Sequence, residues 1–277
     1  MKILIAVDME GATGVVSWDH VDPKTAEYLR FRHLLTADVN AAIEGAFEAG
    51  AGDIQVSDGH WNSGNVLIEE LHPRARLNTG TSSPFSMVQN IQNPADRVDA
   101  VFFVGYHARV GTANAILDHT WSSVRVANLW INGRVSGETG LNASVCGAFG
   151  VPVILITGDQ SVAAEAREWI DGIETAIVKT AVGRTCAQCL PPAVTGSLIK
   201  DAANRAVHKY LAGTGPKALT TGTPVTIRIE FVTSQMADQA SLFPGSARID
   251  GRTLEFTSPD MPVAYRSFRA AVSLANI

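Results

Sequence analysis

Residues 2–11 read KILIAVDMEG. The run from Lys2 to Val7 is short, rich in β-branched and aliphatic residues, and stops at two acids, Asp8 and Glu10. That pattern predicts a strand buried on both faces whose carboxyl end opens into a polar turn. The same design recurs twice. DIQVS at 53–57 leads into Ser57-Asp58-Gly59-His60, and VDAVFFV at 98–104 leads into Gly105-Tyr106-His107. Between the first two strands, residues 25–49 carry Leu29, Leu34, Leu35, Val39, Ile43, Ala46 and Phe47 at helical spacing, with Gly50 as the stop.

Further along, 124–136 reads as a hairpin turning at Asn132-Gly133, the preferred pair for a type I′ turn. A helix follows over about 138–149, then a strand at 151–157 (VPVILIT) and a helix at 161–170. A strand near 174–179, a helix near 193–211, a strand at 225–231, two elements flanking Asp250-Gly251 and a final helix over about 262–275 complete the chain. The stretch 211–224 (LAGTGPKALTTGTP) reads as a loop. Strands alternating with helices predict an α/β fold: a largely parallel central sheet flanked by helices, with a smaller C-terminal α/β subdomain. The expected division is a metal-binding subdomain over 1–165 and a subdomain over 166–277 that completes the site or the oligomer.

Composition narrows the function. The 277 residues are 46% hydrophobic and 18% charged, enough for a sizeable core. Lys plus Arg total 22 against 27 Asp plus Glu, a formal net charge of -5. A nucleic-acid binder would show a basic stripe, and this chain has no dense Lys/Arg block. No window approaches the roughly eighteen uninterrupted apolar residues of a membrane span, and the N-terminal apolar run is too short for a secretory signal, so a cytoplasmic protein is expected. Three cysteines do not make a disulfide framework, and the Cys186/Cys189 pair stands without the second pair of a structural zinc site.

The chemistry sits at the strand ends. In open α/β sheets, ligands bind outside the carboxyl ends of the strands. If the first three strands are neighbours, Asp8, Glu10, His60 and His107 converge. Two imidazoles with carboxylates suit zinc or another divalent transition ion, whereas magnesium and calcium prefer oxygen alone. Along an extended stretch Asp8 and Glu10 project to the same side, and a bridging carboxylate can hold two cations roughly 3.5–4 Å apart. Each acid also has an ordinary reading as a helix cap or turn former. Asp58 is placed to orient His60. Glu138, in Gly137-Glu138-Thr139, reads by pattern as an acid favoured in the first turn of a helix. His119, in Leu117-Asp118-His119-Thr120, is a candidate for proton transfer or an ordinary hydrogen-bonded loop histidine. Arg109 is placed either to meet an anion or to make a surface ion pair. His20, His33, His72 and His208 have no comparable setting.

The ordered blocks VDMEGATG, VSDGHWNSGN, LHPRARLNTG, PFSMV, VFFVGYHAR, LDHTWSS, INGRVSGETGLNA and VPVILITGD resemble the zinc-dependent D-aminopeptidases of the DppA type. The resemblance runs from the first strand to about residue 160 and continues more weakly through VKTAVGRTCAQCL and the FPG-containing C-terminal third. It implies a site for two Zn2+ ions with ligands Asp8, Glu10, His60, His107 and Glu138, Asp8 bridging, and His119 as the catalytic histidine. It also implies hydrolysis of the N-terminal amide bond of small peptides or amino-acid amides through a metal-activated water, and a homo-oligomer, in the family a ring-shaped decamer. The residues themselves do not select a D- over an L-residue, because that choice depends on pocket shape. From the residues alone, two other readings stand beside this one: another binuclear metal hydrolase, such as a phosphoesterase or cyclic amidase, and a non-catalytic metal or small-ligand binding protein.

Overall fold

A computed structural model describes residues 1–276. The chain runs β1 (Lys2–Val7), α1 (Ala26–Glu48), β2 (Asp53–Asp58), β3 (Ala75–Asn78), β4 (Ala100–Val104), β5 (Val126–Ile131), β6 (Arg134–Val135), α2 (Glu138–Ala148) and β7 (Val153–Asp159). It continues through α3 (Gln160–Trp169), β8 (Glu174–Gly183), β9 (Cys186–Cys189), α4 (Pro192–Leu211), β10 (Val225–Phe231), α5 (Ser234–Ala240), β11 (Ala247–Arg248), β12 (Thr253–Ser258) and α6 (Met261–Leu274).

Two sheets form. The larger has seven strands in the order β3-β2-β1-β4-β7-β8-β9 and is parallel except for β9, which turns back along β8. The smaller has five antiparallel strands in the order β11-β12-β10-β5-β6. The expected hairpin is β5-β6, and Asn132 and Gly133 take φ of 49° and 79°, as a type I′ turn requires.

The alternation along β1 explains the layering. Ile3, Ile5 and Val7 pack into one core with Phe31, Leu35, Val39 and Ile43 of α1 and Ile199, Ala203 and Val207 of α4. Leu4 and Ala6 point the other way, into a core shared with α2, α3, α6 and the inner face of the smaller sheet. A central strand covered on both faces is apolar along its buried length, which is why Ile3 to Val7 do not alternate with polar residues. Each large aliphatic or aromatic side chain so buried contributes roughly 1.5–3 kcal/mol.

The expected division at residue 165 falls inside α3. The parallel sheet continues beyond it with β8, and the smaller sheet takes two strands from before it, β5 and β6. Three elements have no counterpart in the sequence reading: the edge strands β3 and β9 and the short helix α5. Residues 212–224 form no helix or strand, as expected of that glycine- and threonine-rich stretch. Among the described residues, no helix is long and apolar enough to cross a membrane.

Candidate metal centre

The strands β2, β1 and β4 are adjacent, with Val7 in register with both Asp58 and Val104. Their carboxyl ends therefore open side by side. Two glycines let the turns that follow come into backbone contact. A Cβ on Gly11 would lie 1.9 Å from the Tyr106 carbonyl oxygen, and the Gly11 N–H donates to the Gly105 carbonyl at 2.8 Å. Gly105 has φ +76°, and a Cβ there would lie 2.2 Å from the Asp8 carbonyl oxygen. Only glycine tolerates both constraints.

This crossing brings Asp8, Glu10, His60, His107, His119 and Glu138 into one buried cluster. Asp8 lies between two halves. Its Oδ1 is 3.2 Å from His60 Nδ1, and its Oδ2 is 3.3 Å from His107 Nε2. On the first side, Glu10 Oε2 is also 3.2 Å from His60 Nδ1. On the second, Glu138 Oε1 is 3.1 Å from His107 Nε2. His119 Nε2 is 3.8 Å from both Glu10 Oε1 and Glu138 Oε1, and its ring stacks on that of His107 with centroids 3.9 Å apart.

The backbone decides which imidazole nitrogens face inward. His60 Nε2–H donates to the Val21 carbonyl at 2.9 Å, His107 Nδ1–H to Ala108 at 3.0 Å, and His119 Nδ1–H to Leu117 at 2.8 Å. A carbonyl can only accept, so in each neutral ring the opposite nitrogen carries a lone pair aimed at the carboxylates. Buried lone pairs facing carboxylate oxygens repel unless a cation lies between them. Asp8 Oδ2, Glu10 Oε2 and His107 Nε2 are all buried without a hydrogen-bond partner. This donor set, imidazole nitrogen with carboxylate oxygen, fits a borderline divalent ion such as zinc.

Protonation follows the same geometry. Burial pushes the Asp8 carboxyl up, but His107 and His60 beside it more than reverse this and hold it well below the usual carboxylate range. Burial and the neighbouring Asp8 charge raise Glu10, and His60 and His119 bring it below its ordinary value. Burial lowers His60 and His107, yet the adjoining carboxylates hold both well above an ordinary imidazole. His119 goes the other way: burial lowers it and the charge on His107 lowers it further, against the pull of Glu10, Glu138 and Asp8.

Buried polar residues behind the cluster hold the turns. Lys179 on β8 donates from Nζ to the carbonyls of Glu10, Ala12 and Val15 at 2.7, 2.8 and 2.7 Å. Asp38 on α1 accepts from the N–H and hydroxyl of Thr13, both at 2.8 Å. Together they grip the turn that carries Glu10. Glu165 on α3 accepts from the Arg109 N–H at 2.7 Å, two residues beyond His107. Asp159 caps α3 through Ser161 and Val162 and accepts from the Ile116 N–H, steadying the loop that carries His119.

Asp58 does not orient the His60 ring. Its oxygens accept from Asn65 N and Nδ2 and from Val66 N, and the ring is held by the Val21 carbonyl instead. Glu138 begins α2, as its helix-start pattern implies, and that start is what aims it into the cluster. Arg109 is not on the cavity wall. His33 pairs with Glu70 and His20 stacks on Phe31, outside the cluster.

A cavity of about 430 Å³ opens beside the cluster, walled by Trp18, Trp61, Trp121 and Arg125 together with Asp8, Glu10, His60, His119 and Glu138. Trp18 meets the His119 ring edge-on, with centroids 5.4 Å apart.

The chain matches a known protein family over nearly its whole length. The family described as D-aminopeptidase matches residues 1–270. The D-aminopeptidase of Bacillus subtilis (strain 168) is 36% identical over 276 residues, 99% of this chain and 98% of that protein. The solved structure of the Zn-dependent D-aminopeptidase DppA from Bacillus subtilis, a self-compartmentalizing protease, has a TM-score of 0.94 and 35% identity, covering 99% of this chain and 98% of that one.

Proposed function

Because this chain belongs to the D-aminopeptidase family, we propose that its buried cluster holds two zinc ions and removes the N-terminal residue, of D configuration, from small peptides or amino-acid amides. The chain is a metal-dependent aminopeptidase. The observation that carries the two-ion reading is that there are two groups of three donors, Asp8, Glu10 and His60 in one and His107, His119 and Glu138 in the other, with Asp8 turning one oxygen to His60 and the other to His107.

In this reading Asp8, Glu10 and His60 Nδ1 hold one ion, and Asp8, His107 Nε2 and Glu138 hold the other. When bound, the ions supply Lewis acidity, polarising the scissile carbonyl and making a water acidic enough to attack near neutral pH. A carboxylate of the cluster receives the free amine of the substrate. His119 carries the proton. Its Nδ1–H is fixed on Leu117, which leaves Nε2 as the nitrogen that can accept, and Nε2 lies between Glu10 and Glu138 on the cavity wall. Nε2 takes a proton from the attacking water and passes it to the leaving amine, so the ring ends as it began. The stacked His107 ring and the edge of Trp18 hold His119 in that orientation.

The open cavity supports a catalytic site over a saturated metal-binding one, since a catalytic ion needs a face left for water or substrate. We also propose a homo-oligomer, in the form of a decamer, on the strength of the full-length match to a self-compartmentalizing protease. The cytoplasm is the proposed compartment, which suits three free cysteines. The functional test is a metal-loaded screen of D- and L-dipeptides and aminoacyl amides with wild type and His119→Ala. Wild type is expected to cleave the D-series, and His119→Ala to keep its metal while losing turnover by about 100-fold or more. Full turnover in that variant would remove His119 from the reaction.

A further inference from the structure

The cavity beside the cluster is lined by groups of both charges. Its lining carries the carboxylates of Asp8, Glu10 and Glu138 and the rings of His60 and His119. Among the described residues, its lining includes a single lysine or arginine, Arg125. Arg125 precedes β5 in the segment Trp121-Ser122-Ser123-Val124-Arg125, all of which lines the same cavity. Its backbone is pinned on both sides: its N–H donates to the Ser122 carbonyl at 3.2 Å, and its carbonyl accepts from the Val232 N–H at 2.9 Å. The half-buried guanidinium donates from Nη2 to Asn276 Oδ1 at 2.9 Å. No Asp or Glu carboxylate of the described residues lies within ion-pair distance of it, unlike Arg76, Arg184, Arg228, Arg248 and Arg252, which all have one.

A guanidinium has five N–H donors in a planar fork that matches a carboxylate, and among the described residues its side-chain bond to Asn276 uses one of them. An aminopeptidase fixes the direction of its substrate. The free amine and the first carbonyl lie at the acidic, metal-binding wall, so the rest of the chain extends along the cavity. At about 430 Å³ the cavity is near the small end of ligand sites, roughly 300–1,000 Å³, a size that suits a short peptide.

We propose that Arg125 anchors the C-terminal carboxylate of the substrate, making this site selective for short peptides with an unblocked carboxyl end. The proposal rests on the aminopeptidase reading above for the direction of the bound peptide. It assigns the two ends of a zwitterionic peptide to lining groups of opposite charge: amine to the carboxylate cluster, carboxylate to Arg125.

The test compares one D-dipeptide with its C-terminal amide, using metal-loaded wild type, Arg125→Gln and Arg125→Lys. Wild type is expected to favour the free carboxylate. Arg125→Gln should lose about 10- to 100-fold in kcat/KM on the free dipeptide, mostly through KM, and at least ten-fold less on the amide, as expected for one charge-assisted contact. Arg125→Lys should recover part of the loss, because it keeps the charge but not the fork. A similar loss on both compounds, or a wild type indifferent to the carboxylate, would overturn the assignment. Calorimetry with a dipeptide analogue whose scissile amide is reduced to a methylene amine separates this from the parent reading. If the analogue binds wild type better as the acid than as the amide, and Arg125→Gln abolishes the difference, the anchor stands even where turnover is absent. If the difference is absent, the anchor fails even where turnover is present.

Discussion

Glu165 offers a quantitative test of the packing that supports the cluster. It lies on α3 beneath two of the segments that carry cluster residues. Oε2 accepts from Arg109 N–H at 2.7 Å, while Oε1 is buried without a partner. That same oxygen would be 2.6 Å from a Cβ on Gly137, the residue before Glu138, so there is no room for a second partner on that side. Burial raises the carboxyl from an ordinary 4.5 to about 7, despite the Arg109 N–H and the charges on His107 and Arg109. Between these values the folded chain keeps a proton that the unfolded chain has released. Stability from this group is therefore complete below about pH 4.5 and is lost as pH rises through 7. At about 1.36 kcal/mol per pH unit, the loss is roughly 3 kcal/mol. Glu165→Gln keeps an acceptor for the Arg109 N–H and never ionises. Urea unfolding of the metal-free wild type and variant from pH 4.5 to 8.5 should show the variant gaining roughly 3 kcal/mol on wild type over that range. A difference that stays flat with pH would refute a dry, crowded Glu165 and with it the tight packing of the 107–109 and 137–138 segments.

Three further outcomes follow from the same geometry. Lys179→Met leaves three buried carbonyls of the Glu10 turn without their donor, so the metal-free protein should lose roughly 3 kcal/mol in urea unfolding and bind zinc at least ten-fold more weakly by competitive chelation. Gly11→Ala drives a methyl into the Tyr106 carbonyl, and because backbone cannot yield as a side chain does, it should cost about 1–3 kcal/mol and lower zinc affinity by separating Glu10 from His107. Removing metal with a chelator should lower the thermal midpoint of wild type, and saturating zinc should restore it through binding to the folded state alone; equal midpoints would mean the cluster does not hold the ion.

The parts of this molecule that were legible in the sequence are those where one residue pattern has one physical meaning. Ile3 to Val7 are apolar at every position because that length of β1 is covered on both faces, and Asn132-Gly133 names its own turn. Asp8, Glu10, His60 and His107 could be grouped because strand ends in a parallel sheet converge. Glu138 could be placed on a helix but not in the cluster. An acid in a first helical turn is common, and only the path of the chain from β6 into α2 aims this one at His107. Lys179 was illegible for the opposite reason. A lysine within a strand normally reaches solvent, and this one is buried because three carbonyls of a turn 164–169 residues earlier meet its ammonium. Asp58 stands two residues from His60, a spacing that suggests a partner for the ring, but its oxygens turn instead to the backbone N–H groups of Asn65 and Val66. The edge strands β3 and β9 are short and only partly buried, so their residues lack the apolar signature that marks the interior of the sheet.

The central claim is that Asp8 is shared between two bound ions. Inductively coupled plasma mass spectrometry on wild-type protein, saturated with zinc and then exchanged into metal-free buffer, tests it most directly. Two zinc ions per chain are expected; one or none would rule out the two-ion site.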